Sequence, residues 1–303
     1  MQLLITGGTG FVGSHAQHHF LNQGHDVTLI GTRPAPEGLD HARCRYIRAD
    51  TTASGDWQEA VGQADLILNL AGRTISKRWT ARYKTQIRES RILTTRNLVA
   101  ALPAASRAVL ISTSAVGFYG DGGEMELAET SPGGDDFLAD LSREWEAAAM
   151  DATEKGARVV IARFGIVLGR DGGPLAAMVQ PFRAFMGGPI GSGRQWFPWI
   201  HMEDLLAAIQ FLYDHAELHG AFNLCSPNPV RNRELAQTIG KVIGRPAVMP
   251  VPALALKLML GEMAEAVMAS QRAIPAKLLA AGFQFQYSDL EPALVDLLTT
   301  PAR

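Results

Sequence analysis

The sequence predicts an α/β protein: a doubly wound parallel sheet with a smaller C-terminal α/β lobe. Three observations predict it. Short apolar runs alternate with segments of helical period through the first half. The first run ends in glycines that open a helix. Near residue 165 the pattern changes, as Gly- and Pro-rich loops begin to alternate with helices.

Residues 2–6 (QLLIT) read as the first strand, followed by Gly7, Gly8, Gly10 and Gly13 and a helix over 11–23. Gly7 permits the tight turn, Gly10 lets backbone approach a pyrophosphate, and Gly13 lets the helix pack closely on the strand. The unpaired N–H groups at the helix start suit a diphosphate. This corner predicts a bound dinucleotide. Further strands read at 26–30, 45–48, 65–70, 107–113 and 157–163, with helices over 82–101 and 138–155. In such sheets ligands collect at the carboxyl ends of the strands. Thr32–Arg33, Asp50, Asn69–Gly72, Ser112–Ser114 and Arg163–Gly165 all fall there.

Residues 1–165 are thus expected to form the cofactor domain and 166–303 the smaller substrate lobe, with some interleaving. The second part shows helices near 175–186, 202–214 and 231–243, then a family-specific tail over 246–303. In that tail the stripe Leu254, Leu258 and Met259 reads as core.

Composition narrows the function. At 303 residues, with 47% apolar and 19% charged residues, the chain can bury a large core. A net charge of −2 offers no field for nucleic acid. Cys44 and Cys225 are far apart and suggest neither a disulfide framework nor a metal site. The apolar runs fall short of the ~18 residues of a membrane span. The first strand begins at Gln2, leaving no room for a signal peptide. A cytoplasmic chain acting on a small molecule is expected, with neither nucleic acid nor membrane as partner.

The second strand selects the cofactor. An NAD site places Asp or Glu near its end to accept from the ribose 2′-OH. Here Thr32 and Arg33 stand there, and the first carboxylate is Glu37. A guanidinium suits a 2′-phosphate, so NADP is expected rather than NAD. Asp50 either accepts from the adenine amino group or forms a turn.

Beyond TGGTGFVG, the chain carries NLAG at 69–72, SRILTTRNL at 90–98, STSAVGFYG at 112–120, RFGIVLGRDGG at 163–173, GGPIGSGRQWFPWIHMEDL at 187–205 and LGEMAEA at 260–266. In these it resembles the extended short-chain dehydrogenase/reductase superfamily. More closely, it resembles an atypical group of NAD-dependent epimerase/dehydratase proteins with a C-terminal domain of unknown function. The resemblance implies a Rossmann-type fold and spans essentially the whole chain. It implies pyrophosphate contacts from Gly7, Gly10, Phe11 and Val12, adenosine phosphate contacts from Thr32 and Arg33, and a lining from Leu70, Ala71 and Gly72. Gly165 and Ile166 would lie where the family's loop approaches the nicotinamide. Arg91 replaces the Asn common in extended members. It either reaches a cofactor phosphate or substrate anion, or sits on the helix surface paired with Glu89 or another neighbour.

Typical members also use a Ser with a YxxxK pair, the Tyr as acid/base and the Lys lowering its pKa. Ser114 matches the serine, but no YxxxK occurs. Alignment of LADLSREWE on Ser142–Arg143 puts Ala139 at the tyrosine and Arg143 at the lysine, where Arg143 can hold a ribose or phosphate but, as an arginine, does not shuttle protons. Tyr119 is the alternative phenol, though this Tyr-Gly is usually structural in the family. Tyr83, Lys84 and His201 are weaker candidates, and Asp204 reads as structural. His15, His18 and His19 read as solvated or core-edge residues. Phe197 and Pro198 stand where sugar-nucleotide epimerases place an Arg-Asp pair, with Arg194 upstream. Trp196, Phe197 and Trp199 read either as packing or as a site for a less charged ligand. The function expected is an NADP-dependent oxidoreductase or epimerase-like enzyme, the alternative a catalytically silent NADP(H) binder. The family often dimerises through the helices near 82–101 and 138–155, so a homodimer or a monomer is expected.

Overall fold

The computed structural model describes residues 1–35, 41–170 and 172–299. Its centre is a wholly parallel seven-stranded sheet. This joins β1 (Gln2–Thr6), β2 (Asp26–Gly31), β3 (Cys44–Arg48), β4 (Leu66–Asn69), β5 (Val109–Ala115), β7 (Arg158–Phe164) and β11 (Gly220–Leu224). The remaining strands form short ladders: β6 (Glu126–Leu127) with β13 (Arg272–Ala273), β8 (Ile166–Leu168) with β10 (Trp199–His201), and β9 (Trp196–Phe197) with β12 (Val230–Arg231). The sheet order is β11-β7-β5-β4-β1-β2-β3. The winding therefore reverses between β1 and β4, and the crevice for a ligand opens at their carboxyl ends.

Both faces of the sheet are covered, which is why its strands read as near-continuous apolar runs. On one face Leu3, Ile5, Leu68 and Ile111 pack against α1 (Phe11–Asn22) and α5 (Met202–Asp214). On the other, Leu4, Ile67, Leu110 and Ile161 meet α2 (Ala81–Ala101) and α3 (Phe137–Met150). Thr80 and Asp136 cap α2 and α3 by accepting from Tyr83 N and Ala139 N, fixing where each helix begins. The predicted strands and helices are all present, most within one or two residues of their expected bounds.

The predicted boundary at 165 falls between β7 and β8. Beyond it, α4 (Gly173–Arg183), α6 (Asn232–Ile243) and α10 (Leu290–Thr299) enclose a second core around Leu175, Trp199, Ile239 and Leu294. The lobes interleave, because β11 and α5 return to the central sheet and its helical layer. The tail adds α7 (Ala253–Leu260), α8 (Met263–Met268) and α9 (Ala276–Ala280). The structure corrects one expectation here. Leu254, Leu258 and Met259 are 71%, 72% and 71% exposed, and Leu256 is the residue that α7 turns inward. Helical spacing identified an apolar stripe but not which surface covers it.

Candidate functional site

The glycine corner is built as its residue types require. Gly7 has φ +68°, and a side chain there would meet the Leu70–Ala71 backbone at 3.0 Å. A Cβ on Gly13 would lie 2.4 Å from the Gly7 carbonyl oxygen. Gly7 N donates to Ile30 O at 3.0 Å and Gly10 N to Gly7 O at 2.9 Å, closing the turn. No side chain caps α1, and its first turn holds no carboxylate. The helix dipole and its leading amides are thus kept for an anion. Val12 packs on the core, while Gly169, Gly172 and Gly173 stand so near the Phe11 ring that a Cβ on any of them would meet it.

At the end of β2, Arg33 Nη2 donates to Thr9 O at 3.3 Å, laying the exposed guanidinium across the glycine turn. Two residues that sequence reasoning missed hold this point. Tyr46 Oη donates to Arg33 O at 2.6 Å, and Arg48 Nε donates to Thr32 O at 3.3 Å. Their signal was alternation in β3, which places Tyr46 and Arg48 on one face of the adjacent strand. Two guanidiniums are therefore bonded to the backbone at one corner, beside Thr32. Asp50 Oδ1 accepts from both Thr52 N (3.0 Å) and Thr52 Oγ1 (2.7 Å), so this side chain closes a turn. Glu37 lies outside the described residues.

A buried polar chain sets the floor at β4. Thr6 Oγ1 donates to Asn69 Oδ1 at 2.8 Å, and Asn69 Nδ2 donates to Thr95 Oγ1 (2.8 Å) and Ser112 Oγ (3.1 Å). Leu70 N and Ala71 N donate to Thr6 O and Thr6 Oγ1, so Leu70–Gly72 is held against the glycine corner. Arg91 packs beneath Gly72, where a Cβ would lie 3.0 Å from its guanidinium carbon. It donates to Arg73 O and Ile87 O and sits 5.2 Å from the Trp145 ring. The Glu89 pairing is not among its contacts. Desolvation pulls its pKa down to about 10, which still leaves it cationic at neutral pH. A cation desolvated beside the crevice, held only by carbonyls and a ring, is suited to an anionic ligand.

The catalytic candidates are dispersed. Ser114, on the α3-facing side of β5, is 1% exposed and donates to Glu146 Oε1 at 2.6 Å. Glu146 holds Arg163 through two bonds of 2.8 Å. Arg163 Nη1 donates at 3.0 Å to Tyr119 Oη, which in turn donates to Asn223 Oδ1 at 2.7 Å. The Tyr119 phenol is 3% exposed, and burial pushes its pKa up. Tyr119 therefore ties β11 to β7 inside the molecule, and the structure does not bring it to the crevice. Arg143 is exposed, paired with Asp140 and bonded to Gly134 O. Ala139, at the expected tyrosine position, is buried. A Cβ on Gly165 would lie 3.1 Å from both Cys225 and Pro198 O, and Ile166 pairs with Trp199, so this stretch packs on the segment around 198–199.

Other candidates serve the fold. His201 is buried, caps α5 through Glu203 N, and stacks on Tyr287 at 3.8 Å. Asp204 accepts from Gln286 N and Tyr287 N, a structural role as expected. Tyr83 donates to Thr74 O, and Lys84 pairs with Glu262. Phe197 and Trp199 belong to the second core, whereas Trp196 lies under Arg231. Arg194 O accepts from Arg231. Among the described residues no group of His, Cys, Asp and Glu is arranged to hold a metal ion. No described helix is long and apolar enough to cross a membrane.

Fold and corner together define an α/β protein built to hold a dinucleotide at the switch between β1 and β4. The chain belongs to the NAD dependent epimerase/dehydratase family, whose pattern matches residues 3–225. A domain of unknown function, DUF1731, matches residues 251–297. The human epimerase family protein SDR39U1 (isoform 2), whose crystal structure is with NADPH, is similar at 34% identity and a TM-score of 0.85. The match covers 98% of this chain and 99% of that one. A chloroplastic SDR39U1 homolog of Arabidopsis thaliana is 38% identical over 299 residues, 97% of this chain and 86% of that protein. An epimerase family protein of Staphylococcus aureus (strain MRSA252) is 38% identical over 304 residues, 98% of this chain and 99% of that protein.

Proposed function

We propose that the protein binds NADP(H) and acts as an NADP-dependent oxidoreductase or epimerase-like enzyme on a small molecule. The observation that carries the cofactor choice is the corner of Arg33, Arg48 and Thr32, fixed by Tyr46 at the end of β2. Two guanidiniums favour a 2′-phosphate over a free hydroxyl. The NADPH-bound human relative supports the same choice. The amides of Phe11, Val12 and Gly13 would meet the diphosphate, with Leu70, Ala71 and Gly72 along the path and Arg91 as a half-buried counter-charge. A bound nicotinamide supplies a hydride acceptor or donor. From this chain, Ser114 is the hydroxyl with the family's placement, and Glu146 accepts its proton in a hydrogen bond. Both oxygens of that carboxylate also accept from Arg163, so it is shared between the serine and a guanidinium.

The Ser114–Glu146–Arg163 chain favours a second reading, an NADP(H) binder that reports redox state without turnover. One experiment separates the two. NADPH is titrated into the purified protein by calorimetry, and cofactor oxidation is then followed against a panel of carbonyl compounds. Binding with turnover supports the enzyme. Binding without turnover across the panel supports the silent binder, and absence of binding removes both.

A further inference from the structure

We propose that the protein docks peripherally on an anionic lipid bilayer through a face formed by the end of α4, α7 and the loop before α2. Twelve large apolar side chains stand exposed among the described residues, and seven of them fall in two stretches, 185–186 and 248–259. The stretches are joined, because Met249 N donates to Gly187 O at 3.0 Å and Val251 N to Pro189 O at 2.9 Å. Leu254 and Leu258, four residues apart, project from one side of α7, with Met259 beside them. An apolar concentration of this kind marks an interaction surface.

Charge identifies the occupant. The end of α7 reaches the loop before α2, where a Cβ on Gly261 would lie 3.4 Å from the Arg78 side chain. Residues 73–91 contain seven Lys and Arg against one Glu, and Arg73, Lys77, Arg78 and Arg82 are exposed. Residues 245–261 contain no Asp or Glu, and both Arg245 and Lys257 are exposed there. The nearest carboxylates, Glu262 and Glu265, are already paired with Lys84 and Lys257. Aliphatic side chains that protrude between cations match an interface of acyl chains beneath anionic headgroups. A second copy of the chain fits poorly, since a two-fold contact would set this basic surface against itself.

The test is sedimentation of the full chain with vesicles of phosphatidylcholine alone or mixed with equal phosphatidylglycerol. Roughly tenfold or greater enrichment on the mixed vesicles is expected, lost in high salt and in both Leu254→Ser/Leu258→Ser and Lys77→Ser/Arg78→Ser variants. NADPH affinity of the variants, unchanged, reports that they are folded. Equal sedimentation with both vesicles, or with neither, overturns the proposal, as does undiminished binding by both variants. Binding to neither would leave the face to an acidic protein.

Discussion

A side-chain carbon on Gly173 would lie 2.3 Å from the Phe11 ring. One on Gly169 or Gly172 would meet the same ring at 2.8 or 3.2 Å. The first residue of α1 is therefore packed against the glycines that lead into α4. Gly173 also has φ +64°. Gly173→Ala should cost about 1–3 kcal/mol of stability, from both strain and overpacking. Gly123→Ala, at φ +57° with open space around it, should cost less. Urea denaturation of the two variants checks this, and equal losses would refute the clash.

Glu146 joins Ser114 to Arg163 in the interior. Glu146→Gln takes the counter-charge from a guanidinium that is 5% exposed. A loss of about 3–5 kcal/mol is expected. Ser114→Ala removes one hydrogen bond and should cost only about 1 kcal/mol. Chemical denaturation measures both. A larger loss from Ser114→Ala than from Glu146→Gln would contradict this hierarchy.

Burial pulls the His201 imidazole down to about 4, against the attraction of Asp296 and with Arg170 close by. The unfolded chain takes up a proton near pH 6.5, while the folded chain refuses it until about pH 4. Stability from this group is thus complete above about pH 6.5 and declines as pH falls through that window, by on the order of 3 kcal/mol at most. Urea midpoints at pH 7 and pH 5 should separate in the parent and converge in His201→Asn. An unchanged separation would place the pH dependence elsewhere.

The sheet was legible because its covered strands form apolar runs and its turns are marked by glycines whose lost freedom has a visible geometric cause. Arg33 was legible from its place at the end of β2. Arg48 and Tyr46 were not, since their role depends on β3 pairing with β2, a register that local pattern does not state. Phe11 was read for its amide alone. The partner of its ring lies about 160 residues away, a non-local contact of the kind sequence period does not report. Tyr119 read as a candidate phenol because chain proximity to Ser114 was visible, whereas its bond to Asn223 on β11 was not. The α7 stripe showed the opposite weakness: period locates an apolar face without identifying what it faces.

The central claim is that Arg33 and Arg48 read a 2′-phosphate. Parallel titrations of the parent and the Arg33→Ala/Arg48→Ala variant with NADPH and NADH test it most directly. The parent should prefer NADPH, and the variant should lose roughly tenfold or more of NADPH affinity while NADH affinity changes little. Equal losses for the two nucleotides, or no preference in the parent, would contradict it.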